Sequence, residues 1–408
     1  MTTDPKSSLS PKTSAESLPP EIQQALASGL ADFNLRELLS WLLSQVGVAE
    51  RQAYLQRMAH DKPNGFYDRS LQLGAIPVEV QVPRTRTGDF RPASLPAPYQ
   101  RGYPQETQAL LLGLLASARS INAAKEALQK MGLSISGQEL ERVATGLIEE
   151  LELRNSRPID PDLLAVFLDG KYIEFRDGDR LRSACIYVVL GLRRDGRKQV
   201  LTCLPRPGRE NLEDWKLVLR GLIERGLRRV LILVQDDFSG LLPITQSLFP
   251  SSDIQLCAVH LQRNAKTHLH KTDASEFQQR WRTIKSSWNP EVAQQQFEQL
   301  CDRFAKSYPT FIAEVRKKRQ HYLAFVAYPE SIRRSFSTTN AVEAVNGQLE
   351  ILRRNSGGYF QSEENLKLKL GLLVSSLEQG RWRSPGRSFC TALPQLNIMF
   401  QSRFEAAA

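Results

Sequence analysis

Three acidic residues of this chain, Asp169, Asp236 and Glu343, stand where carboxylates can act on a phosphodiester. Asp169 follows the apolar run Leu164-Ala165-Val166-Phe167-Leu168, and Asp236 follows Val230-Leu231-Ile232-Leu233-Val234 after one glutamine. Runs of this kind read as buried parallel strands. The carboxyl ends of neighbouring parallel strands converge on one rim of an open α/β sheet, where such folds place their sites. Glu343 falls in the first turn of a helix that Thr339-Asn340 can cap, and a helix packed on the sheet can bring a third carboxylate to that rim. Hard carboxylate oxygens bind Mg²⁺ with positions left for water and phosphate. Two such ions roughly 3.5–4 Å apart activate an attacking oxygen and stabilise a leaving one. The alternative is purely structural, because a strand-terminal Asp also anchors loops and caps helices, and spacing alone leaves both readings open.

The elements that must position these residues follow from periodicity. The strand ending at Asp169 leads into two more, over 182–192 and 197–204, joined by a turn at Asp195-Gly196. Residues 211–225 form an amphipathic helix opened by Asn211 and stopped by Gly226. The strand ending at Asp236 comes next, then a helix over 240–248 and a strand over 253–259. The order β-β-β-α-β-α-β is that of an RNase H-like sheet, so the fold class expected is α/β (α+β). Residues 263–335 are Gln-, Lys- and Arg-rich helical sequence and read as an all-helical insertion, after which 336–385 supply the closing helices and 386–408 a tail. Ahead of the sheet, residues 1–25 are a polar leader. Residues 26–104 combine a helix over 26–60 with a short half-buried strand at Val78, Val80 and Val82 and the cationic turn Pro83-Arg84-Thr85-Arg86-Thr87-Gly88. Residues 105–158 are helical with a break at 131–136. Ser136 and Glu139 there form a capping-box signature, as in a helix-turn-helix or an ordinary helical hairpin.

Composition narrows the class further. The 54 Lys and Arg against 44 Asp and Glu give a net charge of +10, which favours a polyanionic partner over an acidic small substrate. No apolar run reaches about 18 residues, so no membrane span is expected. The five cysteines are widely spaced without a C-x-x-C pair, so they fit a reducing cytoplasm, most of them as buried small side chains.

Several strings are specific enough to suggest a relationship: Phe167-Leu168-Asp169-Gly170, the decapeptide Gln255 to Asn264 carrying Cys257-x-x-His260-x-x-Arg263-Asn264, and Ser337-Thr338-Thr339-Asn340-Ala341-Val342-Glu343-Ala344-Val345-Asn346. With Asp236-Asp237-Phe238-Ser239-Gly240, Asn64-Gly65-Phe66-Tyr67, Arg69 and Val82-Pro83-Arg84-Thr85-Arg86, they resemble the Mutator-like DDE transposases of bacterial insertion sequences over about residues 60–385. The resemblance implies Asp169, Asp236 and Glu343 as catalytic residues holding two Mg²⁺ ions, with Mn²⁺ as a substitute. It also implies an RNase H-like domain interrupted by the insertion, and N-terminal binding of terminal inverted repeats. Strand cleavage and transfer into target double-stranded DNA, by a homodimer in the bacterial cytoplasm at the nucleoid, complete the picture. Two departures stand out. Asp237 replaces the usual glycine after the second Asp, which leaves the ligand open between Asp236 and Asp237, with Asp236 preferred. Position 350 is Glu where some relatives carry a basic residue, so Arg353 and Arg354 are candidates for that contact.

The remaining candidates each have a bland reading beside the functional one. Cys257 and His260, with His268 and His270 nearby, could hold zinc, but the second ligand pair of a zinc finger is missing. A supporting role at the rim is preferred for Cys257, His260, Arg263, Asn264, Asn340 and Asn346, and simple packing is the alternative. Arg69, Arg84 and Arg86, the run Arg316-Lys317-Lys318-Arg319, the pair Arg333-Arg334 and the pair Arg353-Arg354 are candidate DNA contacts or solvated helix faces. Trp281 and Trp288 read as insertion core, or one of them as a platform for an extruded base. Two other activities compete with transposition: a domesticated DNA-binding protein of the same fold, and an RNase H-like nuclease.

Overall fold

The computed structural model describes residues 35–405 except 59, 74–75, 96–104, 132–136 and 288. The leader, the Ser136 cap and Trp288 lie outside the described residues. The chain divides into two compact units, residues 1–110 with 126–136, and residues 111–125 with 137–408.

The first unit contains helix α1 (Leu35–Arg57) and an antiparallel hairpin, β1 (Pro63–Leu73) with β2 (Ile76–Thr85). Val78, Val80 and Val82 turn inward against Leu71, Leu95, Leu39 and Leu43, as the alternation predicts. The strand is longer than expected and has a partner. β1 escapes notice in the sequence because nearly all its described side chains are exposed, with Leu71 the buried exception. Beyond β2, Asp61 holds the cationic turn by accepting hydrogen bonds from Thr87 Oγ1 at 2.6 Å and Thr87 N at 3.2 Å.

The second unit is built on a five-stranded sheet. Its strands are β3 (Asp162–Asp177), β4 (Arg180–Arg193), β5 (Lys198–Pro207), β6 (Arg229–Gln235) and β7 (Asp253–Leu256), in the spatial order β5-β4-β3-β6-β7. β3, β4 and β5 pair antiparallel, whereas β6 and β7 run parallel to β3. Helices α2 (Gln105–Ser117), α3 (Ile121–Lys130) and α4 (Gly137–Ser156) precede the sheet, and the division between the units falls within both α2 and α3. Helix α5 (Leu212–Glu224) joins β5 to β6, capped by Asn211 Oδ1 accepting from Asp214 N at 2.9 Å, and α6 (Leu241–Leu248) joins β6 to β7. The order expected from periodicity is therefore present.

Both faces of the sheet are buried. On β3, Leu163, Val166 and Leu168 join Trp215, Leu219 and Leu222 of α5, whereas Leu164, Phe167 and Ile173 join a larger cluster on the other side. That larger cluster runs without a break into the helices after β7: α7 (Ala258–His268), α8 (Lys271–Lys285), α9 (Pro290–Ala305), α10 (Pro309–Lys317), α11 (Arg319–Leu323) and α12 (Glu330–Phe336). Helices α7 to α12, which span the stretch expected to be an all-helical insertion, thus share one core with the sheet. Trp281, fully buried against Phe297 and Tyr322, belongs to that core and offers no face for a base.

Helices α13 (Asn340–Asn355) and α14 (Glu363–Ser376) close the same side. α14 packs on α4 so closely that a Cβ at Gly371 would sit 2.5 Å from the Leu147 carbonyl oxygen. The face of α4 carrying Leu140, Ala144, Leu147 and Leu151 is buried. The expected tail is largely helix α15 (Arg387–Phe404), with Phe389, Ala392, Leu396 and Phe400 buried. Its apolar residues recur every three to four positions, a stripe that only a neighbouring core could reveal as packed.

Candidate active site

Register brings the two aspartates together. β3 and β6 pair in parallel with Phe167 opposite Val234, so Asp169 and Asp236 each lie two residues beyond the same pair. Asp169 is not at a strand end, as its sequence suggests, because the antiparallel hairpin with β4 carries β3 on to Asp177. What ends near Asp169 is the pairing with β6, and the rim forms where that pairing stops. Asp169 is 6 % exposed, and burial together with the Asp236 charge pushes its carboxyl up to about 6. Burial also raises Asp236. Carboxyls held above their ordinary range by burial and a neighbouring charge make this rim a candidate functional site.

Asp237 has a different fate. Both its oxygens accept from Lys318 Nζ at 2.8 Å, and Oδ2 also accepts from Tyr322 OH at 3.0 Å. It is an anchor between the rim and the helical insertion. Among the described residues Asp236 accepts only the Asp237 backbone N–H, at 2.6 Å, and it faces His260 Nδ1 at 3.5 Å.

The C-x-x-H string lies on a helix rather than on the strand expected over 253–259. The Cys257 N–H still donates to Gln235 O of β6 at 2.7 Å, but the Ala258 N–H goes to Ser337 O at 2.9 Å, and there the chain leaves β7 for α7. Cys257 Sγ accepts from Thr339 N at 3.4 Å and meets Thr339 Oγ1 at 3.5 Å. Thr339 occupies the position ahead of α13 but makes no side-chain cap, its hydroxyl being turned to Cys257. The two most specific strings of the sequence are therefore bonded to each other.

One turn into α7, His260 and Arg263 bridge the carboxylates. Arg263 Nη1 lies 3.2 Å from His260 Nε2, and Arg263 Nη2 lies 3.8 Å from Glu343 Oε1. Burial lowers the His260 pKa, but Cys257, Asp236 and Asp169 outweigh it and push it up to about 9. A guanidinium only donates, so a hydrogen bond from Arg263 needs an unprotonated Nε2, whereas the carboxylates favour the imidazolium. A proton on Nδ1, facing Asp236, is common to both states. On α13, one turn after Glu343, Asn346 Nδ2 donates to Asp169 Oδ2 at 2.7 Å while its Oδ1 is buried without a hydrogen-bond partner.

Among the described residues, no three His, Cys, Asp or Glu side chains converge tightly enough to hold a metal ion. Asp169 and Asp236 share the rim, and Glu343 lies beside Arg263 at 3.8 Å. Like charges repel at short range, and a basic side chain lies beside each of two of these acids, His260 by Asp236 and Arg263 by Glu343. The donor set nonetheless fits a hard cation: carboxylates destabilised by burial, and the unpartnered amide oxygen of Asn346 beside one of them. Zinc has less support, since Cys257 is engaged by Thr339, His268 stacks on Phe311 and His270 packs on Tyr308.

One further carboxylate has no counterpart in the sequence reading. Glu210, just ahead of α5, lies over Gly170, where an added Cβ would come within 2.7 to 2.9 Å of its carboxyl atoms. Trp215 Nε1 donates to Glu210 Oε1 at 2.7 Å. The available signal was Gly170 itself, since a glycine inside a strand often marks a close approach.

Most of the expected cationic contacts are spent internally. Arg316 pairs with Glu298 at 3.0 Å and with Asp302, Arg319 with Glu298 at 2.8 Å, and Lys318 with Asp237. Arg333 donates to the backbone oxygens of Tyr328 and Ser287, while Arg353 and Arg354 both hold Glu350. Lys317 and Arg334 are exposed and form no ion pair among the described residues. In the first unit Arg84 lies 5.9 Å from the centre of the Tyr67 ring, Arg86 is exposed and Arg69 is half-buried. Asn264 lines a cavity of about 280 Å³ with Phe311 and Tyr322, and the Asn340 side chain lies outside the described residues.

Comparison with known proteins bears on this geometry. A family model described as "Transposase, Mutator family" matches residues 15–384. The transposase for insertion sequence element ISRM3 of Rhizobium meliloti is 27% identical over 346 residues, covering 84% of this chain and 85% of its own. A probable transposase for an ISRM3-like element of Sinorhizobium fredii is 26% identical, covering 94% and 92%. The transposase of IS256 in transposon Tn4001 of Staphylococcus aureus is 25% identical over 64% of this chain and 68% of its own. Among solved structures, the Drosophila P element transposase strand transfer complex overlaps 75% of this chain and 82% of its own at 13% identity, with a TM-score of 0.28 that carries no argument.

Proposed function

The chain belongs to the Mutator family of transposases, and on that premise we propose that it cuts and joins DNA at the ends of a bacterial insertion sequence. The β3–β6 register that sets Asp169 beside Asp236 carries the reading. The sheet order, with three antiparallel strands followed by two parallel ones, supports an RNase H-like catalytic core. Asp169 and Asp236 would hold divalent metal, with Asn346 Oδ1 as a neutral oxygen beside them and Glu343 completing the set from α13. A bound Mg²⁺, or Mn²⁺ in its place, supplies Lewis-acid stabilisation of charge on the scissile phosphate.

The chain's own residues do the rest. Asn346 orients Asp169 through its Nδ2 bond, and the Nδ1 proton of His260 faces Asp236. Arg263, 62% exposed, is placed to meet a phosphate beside Glu343. Lys317 and Arg334, both exposed, are proposed as further DNA contacts. The turn bearing Arg84 and Arg86 is proposed to hold the phosphates of the terminal inverted repeat, and a homodimer to bring two ends and the target duplex together in the bacterial cytoplasm.

A labelled duplex carrying the element's terminal repeat, incubated with Mg²⁺, tests the proposal. Asp169→Asn, Asp236→Asn and Glu343→Gln should each lower nicking and strand joining about a thousandfold or more. Retention of both steps by any one of the three would remove that residue from the site, and retention by all three would end the proposal.

A further inference from the structure

We infer that Glu210 is a fourth acidic residue of the metal-holding rim, seated over Gly170 and aimed by Trp215. The inference rests on the proposal that Asp169 and Asp236 hold divalent metal.

Three observations carry it. The Glu210 carboxyl occupies the space a side chain at position 170 would take, with Oε1 2.8 Å and Oε2 2.9 Å from an added Cβ. Position 170 follows Asp169 directly on β3 but faces the α5 side, so Glu210 comes to the level of the rim from that side, through the space the glycine leaves. The carboxyl is also fixed. Trp215 is 1 % exposed and wedged edge-on against Tyr187 with ring centres 4.9 Å apart, and its indole N–H binds Oε1. Oε2 has no protein hydrogen-bond partner among the described residues. Finally, the rim already shows an unfilled acceptor, Asn346 Oδ1, buried beside Asp169.

The backbone supports this seat for reasons of its own. Asn211 caps α5, and its backbone N–H donates to Tyr187 OH at 3.0 Å, which holds the chain just after Glu210 against β4. The helix start, the indole and the glycine together hold one carboxylate at the edge of the β3–β6 rim. A residue merely capping a helix needs neither a glycine opposite nor a buried indole donor. Glu210 adds negative charge where a cation of charge two must be held against the two aspartates, and an outer carboxylate of this kind is worth about tenfold in metal affinity.

The test is binding of Mn²⁺ to the full chain, followed by loss of the free-ion electron paramagnetic resonance signal, without DNA. Glu210→Gln, which keeps an acceptor for Trp215, should weaken Mn²⁺ about tenfold. Gly170→Ala should do the same by displacing the carboxyl, and Trp215→Phe should weaken binding by less. Circular dichroism melts would establish that each variant folds. If Asp169→Asn and Asp236→Asn abolish binding while Glu210→Gln and Gly170→Ala bind as the parent does, this inference is overturned and the two-aspartate site stands. If the aspartate variants also bind as the parent does, the metal site itself is misplaced and the inference falls with it.

Discussion

Two groups of charge lie on either side of the Asp236–Asp237 peptide, and they are built on opposite principles. On the insertion side, Glu298, Asp302, Arg316 and Arg319 interlock, and Lys318 closes on Asp237. On the rim, Asp169 and Asp236 are desolvated and pushed up in pKa, Asn346 Oδ1 is unpartnered, and His260 and Arg263 serve more than one acid each. Matched charges are what stability selects. Charges left mismatched in a buried place lower stability and persist where something else is to be bound.

The contrast can be broken most decisively at the Asp236–Asp237 pair. Asp236→Asn should remove DNA nicking, a loss of about a thousandfold or more, without lowering the melting temperature. Asp237→Asn should keep nicking within about threefold of the parent at a temperature where it is folded. The reverse pattern in the labelled-duplex assay would exchange the roles of the two residues.

The next effect is in pH. The Asp169 carboxyl titrates at about 6 in the folded chain, above its ordinary 3.8. A raised pKa means that the protonated acid favours the folded state, and that this advantage is lost as pH rises from about 4 through 6. Over that window the parent should lose on the order of 2 kcal/mol relative to Asp169→Asn, as read from paired thermal melts. Identical slopes would show that Asp169 is not desolvated. Added Mg²⁺ should restore part of the loss near pH 7, because binding to the folded state alone stabilises it.

Lys318→Met tests the matched side. It leaves Asp237 half-shielded without its cation and should cost about 1–3 kcal/mol in chemical denaturation, with Mn²⁺ affinity unchanged. A shift in metal affinity would mean that the two groups are one network. The smallest effect is expected at Arg319→Ala, under about 1 kcal/mol, since that pair with Glu298 is substantially exposed. A loss as large as that of Lys318→Met would show that the ion pairs act as a unit.

How much of this could be read from residues alone varies along the chain. The apolar runs before Asp169 and Asp236 disclosed two buried strands, because a run apolar on both faces has few other uses. The Cys257 and Thr339 strings disclosed a site, yet not that they touch, since 82 residues separate them. Basic runs were the least informative. A sequence lists Arg316, Lys318 and Arg319 as cations, and only packing reveals the Glu298 and Asp237 side chains set against them. Glu210 was invisible for the complementary reason: one acid before a helix looks like a cap until the glycine opposite is seen.

The sequence by itself determined the order of strands and helices from β3 to β7, the family, and which acids follow buried strands, because local periodicity and short strings encode these. Tertiary structure alone decided that Asp237 is held by Lys318 and Tyr322 while Asp236 faces His260, that β3 runs past Asp169, and that Arg263 lies beside Glu343. Each of those outcomes depends on which distant side chain arrives within about 3–4 Å, where the Coulomb and hydrogen-bond energies that separate a ligand from an anchor are decided.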